Sequence, residues 1–174
     1  MTYELRDHTA DVAVEATAET LPALFAAVAD GLTAASAESV PETGGDRFEF
    51  DVAAESREAL LFDYLDRLIY ERDVRLVLPA DHRCTVVEPG EGEEEEEEEE
   101  EGEGEEEEEG EGEEEEEGES GTGPAAPDEW GLTASARGVP LDAVAAREIK
   151  AVTYSEMALE RRGDGWYAYV VFDV

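Results

Sequence analysis

Between Glu88 and Glu119 the chain carries 24 acidic residues and no basic one. Glutamate alone is a fair helix former, but like charges four residues apart repel and the interspersed glycines interrupt any helix. With no apolar residue to bury, such a stretch cannot offset the entropy of ordering itself. The folded body must therefore come from the residues on either side. The chain is read as a single domain, 1–174, interrupted by a disordered Glu-rich insertion at about 88–128. Loops accept such additions because the cost of closure grows only slowly with length.

The flanking residues show period and punctuation. Val12, Val14 and Ala16 alternate with Ala13 and Glu15, a half-buried strand. Thr20 is placed to cap a helix with Pro22 in its first turn and the apolar stripe Leu21, Leu24, Phe25, Val28 and Leu32. After a Gly44-Gly45 turn, Phe48, Phe50, Val52 and Ala54 predict a second strand. Ser56 can cap a second helix with the stripe Leu60, Leu61, Tyr64, Leu65, Leu68 and Ile69. Val74–Leu78 and Cys84–Val87 predict a hairpin turning at Pro79-Ala80-Asp81-His82, which makes His82 an exposed loop residue. Beyond the tract, Trp130–Arg137 predicts a strand. Ile149–Glu160 and Trp166–Asp173 predict a hairpin turning at Gly163-Asp164-Gly165. About seven strands and two one-faced helices indicate an α+β fold, a mostly antiparallel sheet with two helices packed on one face.

Charge narrows the function classes. Removing the 24 tract acids from the total of 50 leaves 26 against 12 bases, a net charge of −14 on the body. Lys150 is the only lysine. A surface this acidic suits molar salt, where the screening length falls to about 3 Å, and the composition reads as that of an extreme halophile. It argues against direct, strong binding to a nucleic-acid backbone, which needs Lys and Arg to displace counterions. Cys84 is alone, so no internal disulfide forms, and its apolar neighbours indicate a core position. The start lacks a basic and an apolar leader segment, and no apolar run reaches the roughly 18 residues of a membrane span. A cytoplasmic location is expected.

No phosphate-binding loop, dinucleotide fingerprint, zinc-type cysteine pair or nucleophile elbow is present, and Ser155 has no evident base partner. The chemistry-bearing residues sit instead at the two ends of the sequence. Asp7, His8 and Asp11 stand in Asp7-His8-Thr9-Ala10-Asp11-Val12, and Asp173 precedes Val174 at the other end. If the strands carrying Asp11 and Asp173 are antiparallel neighbours, the two carboxylates meet at one sheet edge beside the C-terminal carboxylate of Val174. Oxygen ligands of that kind suit Ca²⁺, Mg²⁺ or Mn²⁺, and His8 would widen the choice toward Mn²⁺ or Zn²⁺. The same residues also read as a turn acid, a strand-edge charge and a solvated terminal acid. On spacing alone that plainer reading is the more economical, given 26 acids outside the tract.

The segments DHTADVAVEA, LLFDYLDRLIYERD and EIKAVTYSEMALERRGDGWYAYVVFDV together resemble the archease family, over essentially the whole chain apart from the tract. The resemblance implies an α+β sandwich and a protein cofactor rather than an independent enzyme. Such proteins assist an RtcB-type RNA ligase in tRNA splicing and RNA repair, promoting guanylylation of the ligase and multiple turnover. tRNA would be met only through the ligase. The resemblance also implies a divalent-metal site at Asp11 and Asp173, with the Val174 carboxylate adjacent and His8 as a secondary candidate. One departure is Ser155, where the family commonly has histidine. Two rival readings remain at this point: a chaperone-like module that remodels partners with purely structural carboxylates, and a stand-alone metal-dependent phosphoesterase.

Overall fold

The structure is a computed structural model and describes residues 11–90 and 128–174. The expected disorder of the tract, and the positions of Asp7 and His8, lie outside the described residues. In chain order the elements are β1 (Asp11–Ala18), α1 (Leu21–Ser36), β2 (Arg47–Ala54), α2 (Arg57–Arg75), β3 (Val77–Val87), β4 (Trp130–Pro140), β5 (Ala151–Arg162) and β6 (Gly165–Asp173). A single 3₁₀ turn, Leu141–Ala143, follows β4.

The local chemistry of the helices follows the sequence. The Thr20 hydroxyl accepts from the Ala23 N–H at 3.3 Å, and the Ser56 hydroxyl from the Ala59 N–H at 3.1 Å. Each satisfies one of the donors that a helix start leaves unpaired. The predicted stripes are the buried faces: Leu24, Phe25 and Val28 on α1, and Leu60, Leu61, Tyr64, Leu65 and Leu68 on α2, are all essentially inaccessible. Tyr64 joins the layers, with its ring 6.3 Å from Phe25 of α1 and 6.0 Å from Phe50 of β2. Such aromatic pairs contribute roughly 0.5–1.5 kcal/mol beyond their buried area.

The six strands form two antiparallel three-stranded sheets, ordered β1-β6-β5 and β2-β4-β3. The α+β class stands, but the expected sheet is two sheets. Both helices touch strands of each, and one core runs through Phe25, Phe50, Tyr64, Leu132, Val170 and Phe172. β3 and β4 pair out to Val87↔Gly131, so residues 91–127 connect neighbouring antiparallel strands.

The predicted hairpin at Pro79–His82 is not formed. Residues 77–87 are one strand along β4, with a register shift between Ala80 and Arg83. Val74 belongs to α2. The chain absorbs its turn-forming residues as a bulge. Pro79 is tolerated because β3 is an edge strand, and Asp81 takes a left-handed conformation at φ 51°. Arg47 fixes the bulge from β2 through the Asp81 carbonyl at 2.9 Å, and Arg137 from β4 through its carboxylate at 2.5 Å. Pairing with β4 outweighs local turn preference. His82 is consequently buried at 7% exposure, with Nε2 2.8 Å from the Thr33 hydroxyl.

β5 and β6 form the predicted final hairpin, closed by Gly163 at φ 58°. β6 then returns antiparallel to β1, which brings the first and last described strands side by side. Gly31 sets how closely α1 lies on β1, because a Cβ there would collide with Val14 Cγ1.

Candidate functional site

The register of β1 on β6 pairs Asp11 directly with Asp173, Val12 with Phe172 and Ala13 with Val171. Alternation decides the rest. Val12 and Phe172 turn toward the core, so Asp11 and Asp173 both lie on the outer face of the sheet. Asp11 is exposed and Asp173 half-buried. The Asp173 carbonyl accepts from the Lys150 N–H at 2.8 Å, and Ala151 stands opposite Asp173 on β5. Val174 follows at once, and its side chain packs against the main core. The sheet thus brings together Asp11 and Asp173, with Val174 next in sequence. His8 lies outside the described residues.

Like charges placed directly opposite in a sheet are destabilising. A hydrogen bond shared with Asp11 raises the Asp173 carboxyl above its usual range. Desolvation and the Asp11 charge add to the rise, and the Lys150 charge opposes it. The donor set is oxygen only, which matches hard divalent cations and not thiophilic ones. Among the described residues no three His, Cys, Asp or Glu side chains gather in a metal-holding group.

Lys150, the only lysine of the chain, is the one cation acting on this pair among the described residues. Ser155 lies on β5 in an irregular stretch between the pairs Thr153↔Val171 and Ala158↔Tyr169, and it is exposed. Cys84 is partly buried and donates its thiol to the Pro22 carbonyl at 3.2 Å, in line with a packing role. Burial lifts that thiol to about 11. Further along the outer face, the Tyr167 hydroxyl donates to Glu15 at 2.9 Å, and the Arg162 guanidinium lies 3.5 Å from the Tyr167 ring centre.

The sequence profile of the Archease protein family matches residues 3–118 and 121–174. The chain belongs to the archease family. Among named relatives, protein archease of Methanosarcina barkeri is 25% identical over 175 aligned residues, covering 99% of this chain and 95% of that protein. Protein archease of Methanosarcina acetivorans is 28% identical with the same coverage. The solution structure of Methanobacterium thermoautotrophicum protein 1598 superposes with a TM-score of 0.65 at 20% identity, over 97% of this chain and 96% of the other. The crystal structure of the Thermotoga maritima archease, described as a possible chaperone, gives 0.54 at 20% identity, over 100% and 98%. These two structures share the archease fold with this chain. No helix among the described residues is long and apolar enough to cross a membrane.

Proposed function

We propose that this archease is an accessory protein of an RtcB-type RNA ligase in tRNA splicing and RNA repair, and not itself a catalyst. In this reading it promotes guanylylation of the ligase and lets it turn over repeatedly in the cytoplasm. The observation that carries the proposal is the direct opposition of Asp11 and Asp173 across β1 and β6, in a chain of this family. A fold that only needed solubility would gain nothing by setting two acids against each other at one register position.

Asp11, Asp173 and the terminal carboxylate of Val174 would hold the divalent ion, either Ca²⁺, Mg²⁺ or Mn²⁺. When bound, such an ion neutralises and orients phosphate oxygens, the main lever in phosphoryl-type transfer. The chain's own residues do the rest. β1 and β6 fix the two carboxylates on a rigid ladder, and the Lys150 N–H fixes the Asp173 main chain. The acidic surface favours basic partners such as the rim of an RNA channel, although molar salt weakens that attraction.

The test is RNA ligation by the cognate ligase in molar KCl with Mn²⁺ and GTP, with substrate well above enzyme. Added archease should convert single turnover to multiple turnover. No stimulation by the folded protein would remove the assigned function. The description of the Thermotoga protein keeps a chaperone-like role as the second reading. Stimulation that survives Asp11→Ala with Asp173→Ala would favour it.

A further inference from the structure

The register that joins Asp11 to Asp173 also orders the rest of the outer face of the β1-β6-β5 sheet. Alternation puts Tyr167, Tyr169, Val171 and Asp173 on that face, one behind another along the central strand β6. Aromatic rings presented by one face of an antiparallel sheet are a recurrent platform for stacking nucleobases.

The two tyrosines differ in what engages them. The Tyr167 hydroxyl donates to Glu15, and the Arg162 guanidinium covers the Tyr167 ring. Tyr169 is half-buried, and among the described residues no second ring and no guanidinium lies over it. Its cross-strand neighbours are Ala158, which has little bulk, and Glu15, whose carboxylate is drawn to Tyr167. From Tyr169 to Asp173 the strand rises about 13 Å over four residues. Val171 floors that stretch, with Ala13 on one side and Thr153 on the other. The Thr153 hydroxyl is held by the Val171 carbonyl at 3.1 Å and adds no bulk above the sheet. Small side chains thus separate an aromatic ring from a carboxylate pair, over a distance that a ribose and a phosphate chain can bridge.

We propose that this face binds a nucleoside triphosphate as its divalent-metal complex, with the base stacked on Tyr169 and the phosphates extended along β6 toward the ion held by Asp11 and Asp173. The inference rests on the metal reading of that pair given above. Carboxylates and bare phosphates repel, so the nucleotide binds only with the ion. Lys150 is the opposing charge at that end of the face. Every base has a π-face, so Tyr169 holds the nucleotide without selecting its base.

The experiment is saturation-transfer NMR of GTP with the full chain in molar KCl and Mg²⁺, with affinities taken from a GTP titration. Saturation should reach the guanine H8 and the ribose H1′, and chelating the ion should abolish it. Tyr169→Ala should weaken GTP at least about fivefold, the smallest loss expected when a stacked base loses its ring. Tyr169→Phe keeps the ring and should bind as wild type does. Inorganic triphosphate, which has no base to stack, should compete equally well in wild type and Tyr169→Ala. Equal GTP affinity in wild type and Tyr169→Ala overturns the proposal. So does a Tyr169→Phe protein as weak as Tyr169→Ala, because stacking does not need the hydroxyl. The underlying reading fails by a different result: Mg²⁺ that raises the unfolding midpoint equally in wild type and in Asp11→Asn with Asp173→Asn removes the metal pair itself. Mg²⁺ held by the pair with no saturation of GTP overturns the nucleotide site alone.

Discussion

Glu71 on α2 and the Asp11–Asp173 pair on β1 and β6 are carboxylate groupings built in opposite ways. Glu71 is 3% exposed, and both of its oxygens are taken: Arg67, four residues before it, donates at 2.8 Å, and Arg75, four residues after it, donates to the other oxygen. Arg67 and Arg75 in turn lie over the rings of Phe50 and Phe48, which ties the ion triad to β2. Asp11 and Asp173 sit at the surface, face each other, and have only Lys150 as a nearby opposing charge among the described residues. The first grouping has both oxygens of its carboxylate paired within the chain and serves the fold. The second lacks such partners and costs the fold, in keeping with the binding role proposed for it.

The comparison can be broken from either side. The largest effect expected is on function. Asp11→Ala should reduce archease-dependent multiple turnover by the ligase at least tenfold while circular dichroism and the unfolding transition stay cooperative. A variant that unfolds would show that the pair is structural after all. Next is Glu71→Ala, which leaves two guanidiniums against apolar rings without their acid. Breaking a buried pair costs about 3–5 kcal/mol, and the partial exposure of Arg75 places this case near 3, measurable by denaturant unfolding in molar KCl. Turnover per folded molecule should not change.

The two groupings also carry opposite pH signatures. Burial pushes the Glu71 carboxyl up, but hydrogen bonds from Arg75 and Arg67 and their charges outweigh it, and its titration is lowered. Its contribution is therefore present above the unfolded carboxyl range and is lost as pH falls through the lower folded value. Asp173 is raised, so the unfolded chain gives up that proton first and stability declines as pH climbs from the unfolded toward the folded value. Asp173→Asn should accordingly raise the unfolding midpoint of the metal-free protein at pH 7 and not at pH 3. Glu71→Gln should lower it at pH 7 and flatten its acid loss. Equal shifts of one sign would erase the distinction.

A smaller effect tests how β1 is held. Gly31→Ala drives a Cβ into Val14, three residues along the strand from Asp11. Overpacking costs roughly 1–3 kcal/mol, and the better helix propensity of alanine returns about 1. The net loss of about 1 kcal/mol should be accompanied by a measurable drop in ligase activation, because β1 carries Asp11.

Both helices, their caps and the closing hairpin were legible because their signals are local: Thr20, Ser56 and Gly163 act within four residues of themselves. Whether strands gather in one sheet or two depends on which edges meet, and a period of two says nothing about that. Pro79-Ala80-Asp81-His82 misled for a related reason. It has turn chemistry, and only the partner strand, with Arg47 and Arg137 holding Asp81, turns it into a bulge. Asp11 and Asp173 stood out through their place at the two chain ends and the family resemblance of the segments that carry them, but their register became visible only with β1 on β6. Glu71 was missed, since one glutamate in Tyr70-Glu71-Arg72-Asp73 reads as solvated surface. The Arg67, Glu71, Arg75 spacing was the signal for it.

The most direct test is a titration of Ca²⁺ or Mn²⁺ in molar KCl at pH 7, read as the thermal unfolding midpoint of wild type and of the double variant Asp11→Asn with Asp173→Asn. The variant is essential because a chain of net charge −38 attracts divalent ions everywhere. The wild-type midpoint should climb with concentration as linkage requires, by about 2.7 kcal/mol of stabilisation at a hundredfold excess over Kd, while the variant stays nearly flat. An equal rise in both proteins would mean that the ions bind the acidic surface at large and that Asp11 and Asp173 form no site.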